Sequence, residues 1–302
     1  MEKLNKEMKS IEITNILYQE LNDYILKKDV VPSIVDISIG DDFGGLMYSK
    51  MKKKKIQEKT PISFKSLHLE NIDLDMLCKY IDSLNKNSEI TGIMLQLPLP
   101  GNLREYEREV LDLINVKKDV DGLTTESIGN LSIGKDSLVP CTALGIEVLL
   151  KIYGVDLEGK NVAIINRSNI VGKPLALLML KDNATPVICH SKTKDLASVT
   201  SNCDIVVAAL NKKEFITSEY IKDGAIVIDV GVHKNELGKT VGDVNYNDVY
   251  DKVSLITPPT GAVGPMTICM LAYNSAKSLY GSEVNDVLEN AIDKAKILVK
   301  KV

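Results

Sequence analysis

Tyr48 and Lys52 stand four residues apart in a stretch with helical character, a spacing that puts a phenol and an ammonium on one helix face. A lysine held against an aromatic ring and partly desolvated can move protons near neutral pH. The same lysine also belongs to a run, Lys50 and Lys52 to Lys55, of the kind that usually forms a solvated face, so the pair admits both readings. Gln96 closes an apolar run and precedes Leu97-Pro98-Leu99-Pro100. Its amide then projects beyond the carboxyl end of a strand, where open α/β sheets bind ligands. The alternative use of that amide is to satisfy the backbone of the proline turn. In Lys118-Asp119-Val120-Asp121-Gly122 two acids flank one apolar residue. An extended backbone aims both to one side, where one carboxylate could grip a ring amidine through paired hydrogen bonds. A turn before Gly122 with solvated acids is the competing arrangement.

The second half of the chain carries a different chemistry. Asn166-Arg167-Ser168-Asn169-Ile170-Val171-Gly172-Lys173-Pro174 lies between the apolar runs Val162 to Ile165 and Leu175 to Leu180. That pattern is a strand, a tight turn and a helix start, and such turns aim backbone N–H groups and a helix dipole at the pyrophosphate of a dinucleotide. Asn166 occupies the place of the usual first glycine, as the residue next best able to take positive φ. Downstream, His190-Ser191-Lys192-Thr193 follows the next strand where an NAD-specific domain carries an acid for the ribose hydroxyl. A hydroxyl and a cation there, with Arg167 nearby, favour a 2′-phosphate and hence NADP. Late in the chain, Thr257 to Thr267 forms a loop rich in glycine and proline that either receives a flat ligand or simply turns between domains.

These residues need elements to hold them. Helical spacing marks Ile11 to Leu26, Tyr48 to Lys59 and Leu74 to Leu84, and strand-like runs mark Ser33 to Ile39, Pro61 to Leu67 and Thr91 to Leu97. After a helix over Leu144 to Tyr153, strands are expected at Val162 to Ile165, Pro186 to Cys189, Ile205 to Leu210, Ala225 to Val230 and Ser254 to Ile256. The expected fold is therefore α/β in two domains: an N-terminal αβα catalytic domain and a Rossmann-type, doubly wound dinucleotide-binding domain. The helical stretch Thr267 to Val302 is expected to return to the first domain. The boundaries are 1–143 with 268–302, and 144–267.

Composition narrows the classes. The 302 residues carry a net charge of −4 and a pI near 5.6, which argues against non-specific nucleic-acid binding. No apolar run reaches the length of a membrane span, and the N-terminus lacks the apolar core of a signal peptide, so a cytoplasmic location is expected. Five scattered cysteines imply neither disulfides nor zinc, and no metal is expected.

Taken in order, the motifs above, with Pro140-Cys141-Thr142, Val241-Gly242-Asp243-Val244 and Val263-Gly264-Pro265-Met266-Thr267, resemble the bifunctional methylenetetrahydrofolate dehydrogenase/methenyltetrahydrofolate cyclohydrolase family over nearly the full chain. The resemblance implies NADP-dependent oxidation of 5,10-methylenetetrahydrofolate and hydrolysis of the methenyl product to 10-formyltetrahydrofolate, feeding one-carbon metabolism and purine biosynthesis, in a homodimer. It implies that Lys52 transfers protons, that Tyr48 packs beside the pterin, that Gln96 tunes Lys52 by hydrogen bonding and that Asp121 holds the pterin edge. The implied substrate set adds Leu97, Gly261, Gly264 and Pro265. The implied cofactor set is Asn166, Arg167, Ser168, Ile170, Val171, Gly172, His190, Ser191 and Val232. Departures from the family pattern fall at Gly45, Ala143, Asn166, Ala209-Leu210, Thr260 and Ala262, with Leu210 standing where glycine would admit the dinucleotide. They leave two alternatives: a cyclohydrolase alone, or a non-catalytic folate- or nucleotide-binding regulator.

Overall fold

A computed structural model of the protein describes residues 6–40 and 43–300. The expectations for residues 1–5 and 301–302 lie outside the described residues, as do residues 41–42. The chain forms two compact units. The first comprises Asn15–Cys141 and Ile268–Ala291, and the second residues 6–14, Thr142–Thr267 and residues 292–300. Among the described residues no helix is long and apolar enough to cross a membrane.

The chain order through the first unit is α1 (Ile11–Ile25) from Asn15 on, β1 (Ser33–Ile39), α2 (Phe43–Lys59), β2 (Ser63–Leu69), α3 (Leu74–Lys86), β3 (Gly92–Leu95), α4 (Glu107–Asp112) and α5 (Thr125–Ser132). The three strands form a parallel sheet in the order β2-β1-β3, with Ile34 opposite Gly92 and Asp36 opposite Met94. Parallel sheets are covered on both faces, so their inner strands read as unbroken apolar runs. β1 obeys this from Ile34 to Ile39, all buried, with Asp36 and Ser38 as the two polar residues of that run. Alternation sends Val35, Ile37, Ile93 and Leu95 into one core cluster with Leu77, Ile81 and Leu84 of α3. The opposite face is left for Asp36 and Met94, which Ser49 and Lys52 of α2 contact. α3 is fixed at both ends: Asp73 Oδ1 accepts from Met76 N at 2.8 Å, and Lys118 Nζ donates to the carbonyls of Leu84, Asn85 and Asn87 at 2.8–3.0 Å.

The second unit contains α6 (Cys141–Ile152) from Thr142 on, then β4 (Asn161–Ile165), α7 (Gly172–Lys181), β5 (Thr185–Cys189), α8 (Leu196–Thr200), β6 (Ile205–Ala208), β7 (Ile226–Asp229), β8 (His233–Lys234), β9 (Thr240–Val241), α9 (Tyr246–Val249) and β10 (Leu255–Ile256). β8 and β9 form a small antiparallel ribbon. The other five strands form a parallel sheet in the order β10-β7-β6-β4-β5. Counted along the unit, this is the doubly wound order 2-1-3-4-5, whose switch point lies between β4 and β6. The expected strands at 205–210 and 225–230 end earlier, at Ala208 and Asp229, because the residues beyond them turn into loops held by carboxylates. The expected C-terminal helical stretch is two helices, α10 (Val263–Tyr280) and α11 (Glu283–Val299), separated at Gly281 with φ 71°. Residues 268–291 of this stretch belong to the first unit.

The segment Lys118 to Gly122 is a turn and not an extended strand, so its two acids part company. Asp119 has φ −76° and ψ 68°, Gly122 has φ 68°, and a Cβ on Gly122 would lie 2.6–2.8 Å from the backbone of Leu138, Val139 and Pro140. The Asp119 carboxylate points inward and is 1% exposed. It accepts from Leu123 N at 3.1 Å, Thr124 N at 2.8 Å and Ser127 Oγ at 2.6 Å, starting α5. Asp119→Ala strands three buried donors, and we expect it to destabilise the protein by about 2–4 kcal/mol, read as a lower thermal midpoint in calorimetry. A midpoint equal to wild type would show that water replaces the carboxylate without cost.

Candidate active site

The buried face of α2 carries Ser49, Lys52 and Ile56, at 3%, 6% and 0% exposure, while Lys50, Lys54 and Lys55 of the same run are exposed. Helical spacing thus draws one lysine out of five into the interior. Lys52 Nζ lies 4.8 Å from the centroid of the Tyr48 ring and 3.6 Å from Met94 Sδ. Gln96 follows β3 on the face of Met94, and its N–H donates to Ile37 O at 2.8 Å, extending the sheet by one bond. The Gln96 side chain turns to Asp36, donating from Nε2 to Oδ1 at 2.6 Å, and Ser49 Oγ donates to the other oxygen of Asp36. The bond to Asp36 uses the NH₂ end of the Gln96 amide, which leaves Oε1 as the atom able to accept the hydrogen bond expected from Lys52. Leu97, in a cis peptide with Pro98, packs against the core cluster of the first unit.

Asp121 faces this cluster. Burial pushes its carboxyl up to about 6, with Asp119 and Asp36 adding to the rise and the Lys52 ammonium opposing it. Burial also raises the Tyr48 phenol, with Cys141 and Asp121 contributing. Behind Asp121, Asn274 Nδ2 donates to Val120 O at 2.9 Å and Val139 O at 2.8 Å, clamping the two strands of chain that meet at Gly122. Tyr48, Lys52, Gln96 and Asp121 are thus brought together in one unit. The other expected substrate residues, Gly261, Gly264 and Pro265, belong to the second unit, where the Gly261 carbonyl accepts from Ser10 N at 2.8 Å.

In the second unit a cavity of about 370 Å³ opens beyond the carboxyl ends of β4, β5 and β6. Asn166, Arg167, His190, Ser191, Leu210 and Lys212 line it, and no acid does. Ser168, Ile170, Val171 and Gly172 lie on the adjoining turn, and Val232 follows β7 at 70% exposure. Asn166 does not take the positive φ expected of it. Its side chain builds the turn instead: Oδ1 accepts from Ser168 N at 2.7 Å and Gly172 N at 3.1 Å, and Nδ2 donates to Ala209 O at 2.5 Å across the switch point. With Val171 N bonded to Ser168 Oγ at 3.1 Å, three N–H groups expected to face an anion are bonded within the turn. Gly172 is required by the same packing, since a Cβ would lie 2.2 Å from Asn166 O. Leu210, standing where glycine would admit the dinucleotide, lines this cavity, and the residue after it, Asn211, holds a left-handed backbone at φ 56°.

Two family models match the chain: the catalytic domain of tetrahydrofolate dehydrogenase/cyclohydrolase over residues 4–121 and the NAD(P)-binding domain of the same enzymes over residues 140–282. The chain belongs to this family. It is 43% identical over 273 residues to the bifunctional protein FolD of Agathobacter rectalis, covering 89% of this chain and 96% of that one. It is 48% identical over 248 residues to that of Lachnoclostridium phytofermentans, covering 82% and 86%. The crystal structure of FolD from Campylobacter jejuni superposes with a TM-score of 0.83 at 40% identity, over 89% of this chain and 95% of that one. The Trypanosoma brucei enzyme, complexed with NADP and an inhibitor, also gives 0.83, at 30% identity over 89% and 95%.

Within this dehydrogenase/cyclohydrolase chain, several positioning residues escape a reading by motif. Asp36 lies in a run that looks like core, where its signal is an acid in the middle of Ile34-Val35-Asp36-Ile37, and Ser49 lies unmarked at the edge of the lysine run. Asp243, fully buried, accepts from the backbone N–H groups of Leu210, Asn211 and Lys212 at 2.7–3.1 Å and pairs with His233 Nε2 at 2.8 Å. Asp229, pushed up to about 6 by burial, accepts from Gly231 N, Asp243 N and Val244 N at 2.9–3.0 Å. Together they shape the loop after β6. Among the described residues no group of three or more His, Cys, Asp or Glu could hold a metal ion.

The electrostatics of Asp121 make a sign-specific prediction. Lys52 favours the ionised carboxylate, so removing its charge in Lys52→Met should raise the Asp121 midpoint above its value of about 6. A carboxyl-carbon NMR titration of both proteins reads this directly. An unchanged or lower midpoint in the variant, or a wild-type midpoint in the ordinary aspartate range, would contradict the geometry.

Proposed function

We propose that this chain oxidises 5,10-methylenetetrahydrofolate to 5,10-methenyltetrahydrofolate with NADP and hydrolyses the product to 10-formyltetrahydrofolate. The observation that carries the hydrolytic half is the buried Lys52 ammonium, 4.8 Å from the Tyr48 ring and close enough to Asp121 to favour its ionised form. In this reading water adds to the cationic methenyl carbon and loses one proton to leave a hydroxyl, and the bond from that carbon to the folate ring nitrogen then opens as the hydroxyl loses its proton to become the formyl carbonyl and the nitrogen gains one. Lys52 moves these protons. Tyr48 packs beside the pterin, Asp121 accepts paired hydrogen bonds from its amidine edge, and Gln96 and Leu97 complete the wall. Gly261, Gly264 and Pro265 supply the remaining substrate contacts.

The residues around the cavity of the second unit fit NADP: they include two cations, two hydroxyl residues and no acid, and Gly172 lets the backbone close up at the helix start. NADP supplies the hydride acceptor. Arg167 and Ser191 hold its 2′-phosphate, and His190, Asn166, Ser168, Ile170, Val171 and Val232 complete the dinucleotide site. Because Asn166 and Ser168 already occupy three turn N–H groups, the cofactor is held less firmly than by a glycine-rich turn. The assembly is a cytoplasmic homodimer formed through the second unit, whose edge strand β5 exposes Ile188 and whose α7 exposes Leu180. Its 10-formyl product serves purine biosynthesis. The catalytic domain covers 1–143 with 268–302, and the dinucleotide domain 144–267.

Two measurements test the halves separately. Lys52→Met should lower methenyl-folate hydrolysis by roughly a hundredfold to ten-thousandfold while folding normally. Hydrolysis within about threefold of wild type would remove Lys52 from the mechanism. Arg167→Ala should weaken NADP binding by about tenfold or more and leave NAD binding nearly unchanged, as calorimetric titration with both cofactors would read. Tighter binding of NAD by wild type, or full NADP affinity in the variant, would overturn the assignment.

A further inference from the structure

β1 is the central strand of its sheet, and every side chain from Ile34 to Ile39 is buried. A carboxylate at Asp36, 1% exposed, costs several kcal/mol unless it is well paired. Two partners are built for it. Ser49 Oγ, from the buried face of α2, donates to Oδ2, and Gln96 Nε2, from the end of β3, donates to Oδ1 at 2.6 Å. Neither bond is forced by the fold, since apolar residues at 36 and 49 would fill the same interior as their neighbours Ile34 and Ile56 do. What the pair accomplishes is orientation. An ionised carboxylate has no proton to give, so it accepts only the NH₂ end of the Gln96 amide. The carbonyl end of Gln96 is thereby turned away from Asp36, and the amide cannot flip without placing its oxygen against a carboxylate. Asp36 also lies directly opposite Met94, the residue whose sulfur contacts Lys52 Nζ, and Gln96 is the next residue along the chain on the face of Met94.

We propose that Asp36 is a positioning residue for hydrolysis: by holding the NH₂ group of Gln96, it makes Gln96 a pure hydrogen-bond acceptor on the side of Lys52 and the attacking water. This rests on the reading that Lys52 carries the hydrolytic step. Asp36→Asn is the informative change, because asparagine nearly matches aspartate in shape but offers a donor as well as an acceptor, freeing the amide to adopt either orientation.

The test is a double-mutant cycle on the full chain, with methenyl-folate hydrolysis measured for wild type, Asp36→Asn, Gln96→Ala and the double variant, and Lys52→Met assayed beside them. Asp36→Asn should lower kcat by about tenfold with KM within about twofold of wild type, and should have no further effect once Gln96 is alanine. Equal losses in both backgrounds, a raised KM at unchanged kcat, or wild-type kcat in Asp36→Asn would overturn the proposal. Loss of hydrolysis in Lys52→Met combined with an additive cycle overturns the role of Asp36 alone. Full activity of Lys52→Met overturns the underlying reading and this proposal with it. Should Asp36→Asn fail to fold, the side-chain amide protons of Gln96 in wild type, assigned by their absence in Gln96→Ala, decide the matter by NMR. Slow exchange with solvent supports the bond to Asp36, and exchange as fast as that of an exposed glutamine overturns it.

Discussion

Burying carboxylates beside a single buried ammonium is the constraint on which the first unit depends. Asp36, Asp119 and Asp121 all sit in or next to a sheet whose inner residues are mostly apolar, and each has a different solution to the cost of burial. Asp119 is satisfied by backbone and a hydroxyl, and it shapes the turn. Asp36 is satisfied by two side chains, and it fixes an amide. Asp121 is the least satisfied of the three, and burial lifts it to about 6 while Lys52 pulls it down. A carboxyl left in that condition is poised to take paired hydrogen bonds from a ligand. The other acids build the frame that keeps it so.

The second unit solves a similar problem with a different outcome. Asp229 and Asp243 are buried side by side and spend their oxygens on backbone N–H groups. Their work is to bend the chain sharply after β6 and β7, so that Leu210 and Lys212 reach the cavity beyond the switch point. Asn166 ties β4 to the same loop through Ala209. The cofactor cavity is therefore shaped by side chains that cap the backbone, where a glycine-rich turn would leave the N–H groups facing the ligand. That difference is the physical basis for expecting a modest hold on the pyrophosphate.

Much of this was legible in the sequence, and the rest was hidden for identifiable reasons. The doubly wound sheet follows from apolar runs punctuated by turns, and Tyr48 with Lys52 follows from helical spacing. The lysine run on α2 obscured which lysine is buried, because that face carries two polar residues, Ser49 and Lys52, beside Ile56, which breaks the apolar period. Asp119 and Asp121 looked equivalent until the turn at Gly122 separated them. Asn166 was expected to supply an unusual backbone conformation, whereas it supplies an unusual side chain. The importance of Asp36 depends on a contact between residues sixty positions apart, and no local pattern encodes that.

In the proposed site Asp121 is a carboxylate kept ready for the pterin by its buried neighbours. The decisive experiment is calorimetric titration of a folate analogue that cannot be hydrolysed into wild type and Asp121→Ala. The variant is expected to bind the analogue more weakly by about 2–4 kcal/mol while its NADP affinity scarcely changes. Equal affinity for the analogue in the two proteins would contradict it, and would reduce Asp121 to a residue of the turn.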